Sequence, residues 1–355
     1  MKIVQLLPVM SYGDAIGNDV LAIRSIIHNM GYTSDIYADA IGPHLKNENI
    51  IHFDSMVLSP SDILIYHLST GSRLNRLIEQ FYCKKIAIYH NITPSNYFLG
   101  YDIRSYAAAK AGLKEIKHLK DKFDYCLTDS EFNKEDLLSY GYTCKIDVLP
   151  IVVPISEYAK KPAPSVLRKY ADTMVNLLFV GRVVPNKKIE SVIQTLYHYY
   201  GKYNAKSRLF LVGKCLESYR DKLEEYIRVL GLRNVIFTGH VKFQEILAYY
   251  SLSDVFVCMS EHEGFCVPLV EAMYFGLPIV AAPHAAIPST LGGSGILLDE
   301  SSPLLAAGVV DRLIRDKGLR GKVAKDQRKR LEDFSYPTVK HQFETYLNEF
   351  LRSMK

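Results

Sequence analysis

Several familiar features are missing from this chain. No run of eighteen or more apolar residues occurs, so no transmembrane helix is expected. The six cysteines, Cys83, Cys126, Cys144, Cys215, Cys258 and Cys266, include no Cys-x-x-Cys pair and mostly fall in apolar segments. That usage points to buried thiols in a reducing cytosol, and away from disulfides or zinc. Internal repeats and low-complexity tracts are absent as well. The net charge of +5 is too small to argue for nucleic acid as a partner. The opening Met1–Pro8 has too short an apolar run for a signal peptide, and no small-residue cleavage site precedes Gly13-Asp14; it reads as a first strand.

What is present is enough for two cores. With 355 residues, 48% apolar and 23% charged, the chain has the size and composition of a soluble two-domain protein. From Lys2 to about Pro150, strand-like segments (Ile3–Leu7, Thr33–Ala38, Ile63–His67, Lys85–Tyr89, Phe123–Thr128) alternate with helical ones (Asp14–Met30, Asn75–Tyr82, Ile103–Lys120, Asn133–Tyr140). Pro150, Pro154, Pro162 and Pro164 punctuate a polar stretch ending near Asp172, which reads as a linker. Alternation then resumes: strands Val175–Val180, Arg208–Val212 and Val235–Thr238, with helices Lys188–Tyr200, Leu216–Leu230 and Phe243–Tyr250. The pattern predicts an α/β chain of two doubly wound, Rossmann-like domains facing a cleft, at 1–155 and 173–335, with a last helix at 336–355.

The stretch from Ser260 to Met273 organises the second half. An apolar strand, Asp254–Val257, leads into a loop carrying Glu263 and Gly264, then a short helix starting near Pro268 and carrying Glu271. Gly264 lets the backbone approach a ligand, and the amides of Val267–Leu269 with the helix dipole behind them suit a phosphate. Carboxylates on both sides of an anion site fit a ligand with hydroxyls flanking a phosphate, as in a nucleotide sugar. A second loop, Gly181-Arg182-Val183-Val184-Pro185-Asn186-Lys187-Lys188, follows a strand directly. There Arg182 supplies a planar fork and Lys187 a point charge for a diphosphate that gains negative charge as it leaves. Taken alone, the glutamates read as a loop acid and a solvated first turn of an ordinary helix, and Arg182 and Lys187 as solvated loop charges.

Together they resemble the signatures of family 4 glycosyltransferases: two glutamates bracketing seven residues, and a glycine-arginine pair with a lysine five residues after the arginine. The resemblance is closest to bacterial surface-polysaccharide mannosyltransferases. It implies the GT-B fold, with the final helix crossing back to the first domain. By that resemblance Glu271 holds the ribose hydroxyls, and Glu263 meets the transferred sugar. Gly264, Phe265, Cys266, Val267, Pro268 and Leu269 line the sugar and phosphates, and the turn Gly239-His240-Val241 packs on the base. Gly181, Arg182 and Lys187 serve the diphosphate. In the first half His90 lies beside the reactive carbon. Gly13 and Asp14 stand where amides approach the β-phosphate and the acceptor, although Asp14 reads equally as a helix N-cap. Ser130 lines the cleft.

The implied reaction is retaining hexosyl transfer from a nucleoside diphosphate sugar, with GDP-mannose as the expected sugar donor, to a glycan or lipid-linked acceptor. The sequence has no Asp-x-Asp triplet, so no metal and no cofactor are expected. The basic segment 103–122 suggests peripheral contact with anionic lipid at the inner face of a cytoplasmic membrane, or simply a solvated face. Three departures from the family pattern stand out: Cys266 and Lys188 each replace a common glycine, and Ser289 replaces a common glutamate. Lys188 leaves open which lysine touches phosphate. Two rivals share the architecture, a sugar-nucleotide epimerase and a catalytically silent sugar-nucleotide-binding subunit.

Overall fold

The computed structural model describes residues 1–354 except Tyr12, His44, Lys46 and Asn47. Its contacts divide the chain into two units: Met1–Leu99 with Ile103–Pro154 and Asp333–Lys355, and Ile155–Glu332 with Gly100–Asp102.

The first unit is built on seven strands: β1 (Ile3–Met10), β2 (Ile36–Ile41), β3 (Ile50–His52), β4 (Ile63–Leu68), β5 (Lys84–Tyr89), β6 (Tyr125–Thr128) and β7 (Lys145–Val148). They pair in the order β3-β2-β1-β4-β5-β6-β7, and every pairing is parallel. The run of the chain reverses at β1 and β4, the switch point where ligands of open parallel sheets bind, beyond the strands' carboxyl ends. Buried on both faces, β4 reads Ile-Leu-Ile-Tyr-His-Leu, a continuous apolar run broken only by His67. The closing helix Tyr336–Ser353 belongs to this unit. Its Val339, Phe343, Leu347 and Phe350 recur at helical spacing and join Ile3, Ile23, Ile63 and Ile86 in one core cluster.

The second unit has six parallel strands: β8 (Val175–Val180), β9 (Ser207–Val212), β10 (Val235–Gly239), β11 (Val255–Cys258), β12 (Ile279–Ala281) and β13 (Ile296–Leu297), in the order β10-β9-β8-β11-β12-β13. The stretch expected as a linker is folded rather than free. It forms a 3₁₀ turn at Ile155–Ala159 and a helix at Pro164–Lys169, and it buries Tyr158 and Tyr170 within this unit. Polar composition hid two aromatic anchors. Sequence periodicity also missed β3, β7 and β13, which at three, four and two residues are too short to show alternation.

Among the described residues no helix is long and apolar enough to cross a membrane. The basic helix Ile103–His118 is held on one side by Glu115, which accepts from the Ser72 amide at 3.2 Å and the Asn75 side chain at 2.7 Å.

Candidate active site

In the second unit, β8, β9 and β10 end in Gly181, Gly213 and Gly239, all with positive φ. The turns pack so closely that a Cβ on Gly213 would lie 2.1 Å from the Gly181 carbonyl oxygen, which only glycine permits. The Gly181 amide donates to Val212 O at 2.9 Å and that of Gly213 to Gly239 O at 3.1 Å. This lattice fixes the start of the loop that carries the expected cations.

That loop is tied to the one after β11. The Glu261 amide donates to Asn186 O at 2.9 Å, and the Asn186 side chain donates to His262 O at 3.0 Å. Lys188, in the left-handed conformation, pairs with Glu261 at 2.9 Å. Lys187 pairs with Glu263, and the two side chains are only 19% and 9% exposed. Burial opposes the Lys187 charge, but the Glu263 carboxylate outweighs it and raises the ammonium's pKa. His262 goes the other way: burial and nearby Lys187 push it down to about 4, so it is neutral near pH 7. Arg182 is exposed, and among the described residues no carboxylate pairs with it. The structure thus brings Lys187 and Glu263 together and leaves Arg182 as the outward cation of the loop.

The helix after Gly264 runs Val267–Tyr274, with Pro268 in its first turn. Cys266 precedes it at φ 72, a left-handed conformation that explains why glycine is common there. The expectation of free amides at Val267–Leu269 needs correcting at Leu269, whose N–H already donates to Cys266 O at 3.0 Å. The Phe265 carbonyl accepts from the Thr290 hydroxyl at 2.6 Å. Ser289 turns its hydroxyl to Ala286 O at 2.9 Å, while its own carbonyl accepts from Arg330 at 2.7 Å. Val241, in the turn after β10, is partly buried.

Glu271 carries the clearest surprise. Its Oε1 accepts from the Tyr158 hydroxyl at 2.9 Å and its Oε2 from the Tyr250 hydroxyl at 2.6 Å. Burial raises the Glu271 pKa, and the two phenol bonds oppose that rise. Sequence reasoning had no signal for either tyrosine, since Tyr158 sits in a polar, proline-flanked stretch and Tyr250 in an ordinary apolar helix.

In the first unit the expected residues meet partners the sequence did not name. Gln5, His67, His90 and Asp129 come from four neighbouring positions in the sheet, on or just after β1, β4, β5 and β6, and form one buried hydrogen-bonded row. The proton positions follow by elimination. The Gln5 amide donates to Val20 O at 3.1 Å, so its oxygen must accept from His67 Nε2–H at 3.0 Å. Neutral His67 then accepts at Nδ1, and His90 must donate to it from Nε2, at 2.9 Å. Burial keeps His67 well below the usual histidine value, which agrees. The other His90 nitrogen faces Asp129 at 2.9 Å. Burial opposes a charge on His90, but Asp129 outweighs it and raises the pKa.

The His90 imidazole is therefore 1% exposed with both nitrogens engaged, and in this arrangement offers no ring atom to a substrate. His67 was visible in principle as the one polar residue in an apolar strand, and Asp129 as the residue at the end of β6. Asp14 resolves as the N-cap of helix Ala15–Asn29, accepting from the Gly17 amide at 2.5 Å, after Gly13 at φ 75. Ser130 is likewise buried as an N-cap, accepting from the Asn133 amide at 3.2 Å.

Among the described residues, two groups have ligand atoms close enough for a metal: Asp19, His67 and His90, and Cys258, Glu263 and Cys266. In the first, every imidazole nitrogen already has a partner. In the second, the Lys187 ammonium already neutralises Glu263.

Residues 169–330 match the family model for glycosyl transferases group 1. A capsular polysaccharide biosynthesis glycosyltransferase of Staphylococcus aureus is 27% identical over 49% of this chain and 46% of its own length. A GDP-mannose-dependent alpha-mannosyltransferase of Mycolicibacterium smegmatis is 34% identical over 54% of this chain and 48% of its own. The chain thus spans under half the length of these curated relatives. A crystal structure of the Anabaena protein HepE, with UDP-glucose, superposes with a TM-score of 0.76 over 98% of this chain and 100% of that one, at 18% identity. Two parallel-sheet Rossmann-like units of this kind are the GT-B fold, and residues 169–330 of the second are similar to the group 1 glycosyl transferases.

Proposed function

We propose that the chain is a retaining glycosyltransferase that moves a hexose from a nucleoside diphosphate sugar to a hydroxyl of a growing glycan. The observation that carries this is the meeting of two loops beyond β8 and β11. One presents Arg182 outward, and the other holds Glu263 against Lys187, with Glu271 on the helix that follows. Fixed positive charge there stabilises a departing diphosphate in the transition state. In the proposed step the bond from the anomeric carbon to the phosphate oxygen breaks as the acceptor oxygen bonds to that carbon on the same face. The leaving phosphate takes the acceptor's proton, so no separate protein base is required.

Relatives named for GDP-mannose and for O-antigen and capsule synthesis support mannose from GDP-mannose and a polysaccharide acceptor; in this reading the acceptor is lipid-linked and met at the inner membrane face. HepE, solved with UDP and with UDP-glucose, supports the broader class of nucleotide sugar. Transfer proceeds without a metal in this reading. A panel of nucleotide sugars in a thermal-shift assay, followed by measurement of nucleoside diphosphate release with and without glycan acceptors, tests it. Stabilisation by one sugar nucleotide and acceptor-dependent release in EDTA are expected. No shift with any member, or interconversion of the sugar without acceptor, overturns the proposal.

A further inference from the structure

We propose that Tyr158 and Tyr250 are positioning residues that fix the Glu271 carboxylate for the ribose of the sugar donor, and so set its preference for ribonucleotides. The inference rests on the nucleotide-sugar reading and deepens it. Each carboxylate oxygen takes one phenol, at 2.9 and 2.6 Å, and each keeps a second lone pair for a ligand hydroxyl. A cis-diol is the group that can donate to both oxygens of one carboxylate at once. Held from two sides, the carboxylate cannot swing about its last torsion, and the cost of ordering it on binding falls.

The phenols are themselves fixed. Tyr250 is 2% exposed and stacks on Phe275, with centroids 5.0 Å apart and planes at 2°, and on Phe256 at 6.2 Å. Tyr158 is 5% exposed and lies against Phe243, Tyr274 and Phe275, at 5.9, 5.4 and 6.2 Å. Its place on the 3₁₀ turn Ile155–Ala159 makes that proline-flanked stretch part of the binding apparatus. Burial, with Glu271 beside them, drives both hydroxyls far above the ordinary tyrosine pKa, so each stays a proton donor toward Glu271. A structural purpose alone would be served by phenylalanine at either position, since the ring contacts involve no hydroxyl.

The test uses the full chain and isothermal titration with UDP, GDP and their 2′-deoxy counterparts. For whichever base binds, wild type should prefer the ribonucleotide. Tyr158→Phe and Tyr250→Phe should each weaken ribonucleotide binding about tenfold, the range for a hydrogen bond to a charged group, while deoxynucleotide binding moves little. In a Glu271→Gln background neither substitution should weaken binding further. Unchanged ribose preference in both phenylalanine variants overturns the assignment. Tighter ribonucleotide binding in Tyr158→Phe also overturns it, because the phenol would then be occupying the ribose's place. A wild-type chain that binds none of the four nucleotides overturns the nucleotide-sugar reading itself.

Discussion

At the scale of single residues, Lys187 and Arg182 were both expected at the diphosphate, as a point charge and a planar fork, and the structure gives them different surroundings. Lys187 spends its charge on Glu263 in a mostly buried pair, whereas Arg182 is exposed and, among the described residues, unpaired with any acid. Removing one member of a buried pair strands the other charge, a cost of about 3 kcal/mol or more. Removing an exposed arginine costs little stability. Lys187→Met should therefore lower both the melting temperature and kcat. Arg182→Ala should leave melting unchanged and lower kcat on the order of 10²-fold, as for loss of an oxyanion donor. Parallel melting curves and steady-state assays check this; a wild-type rate in Arg182→Ala removes its role. Both cations were legible because they follow a strand end within seven residues. The phenols on Glu271 were not, since Tyr158 lies 113 positions away and only folding brings it there.

At the scale of elements, the long apolar strands were plain in the sequence because burial on both faces leaves a continuous hydrophobic run. The sheet edges β3, β7 and β13 were not, for want of length. Nor did periodicity reveal what the helix Ala15–Asn29 does with an acid on its buried side. Its Asp19 accepts from the Val152 amide at 2.8 Å and faces His90 and Asp129. Burial pushes its pKa from 3.8 up to about 7, with the His90 charge opposing. The folded chain thus keeps a proton that the unfolded chain gives up above pH 3.8. The stability tied to that proton is complete below the unfolded value and is lost as pH rises through about 7. Asp19→Asn preserves an oxygen for Val152 and removes the titration. Its stability relative to wild type should therefore rise by about 2–3 kcal/mol between pH 5 and pH 8. Denaturant titrations at the two pH values decide it, and a constant difference would contradict the assignment.

At the scale of the whole molecule, the two units hold separate cores, and neither is a continuous piece of chain. The first is complete only when Tyr336–Ser353 joins β1 and β4, and the second takes Gly100–Asp102 from the middle of the first half. Tyr101 is the anchor of that borrowed tripeptide: its ring meets Tyr219 edge-on at 5.4 Å, and its carbonyl accepts from Ser218 at 2.9 Å. Periodicity could divide the chain at its proline-rich middle but could not foresee three residues changing unit. Separate cores predict unfolding that is not two-state. Scanning calorimetry should resolve two components, and a nucleoside diphosphate should raise only the one belonging to the unit that carries Arg182 and Glu271. At a hundred times its dissociation constant the ligand adds about 2.7 kcal/mol to that unit. Phe343→Ala, which empties a buried site in the core of the first unit, should lower the other component by an amount reflecting about 3–5 kcal/mol. One transition that moves as a whole under both perturbations would show that the units unfold together.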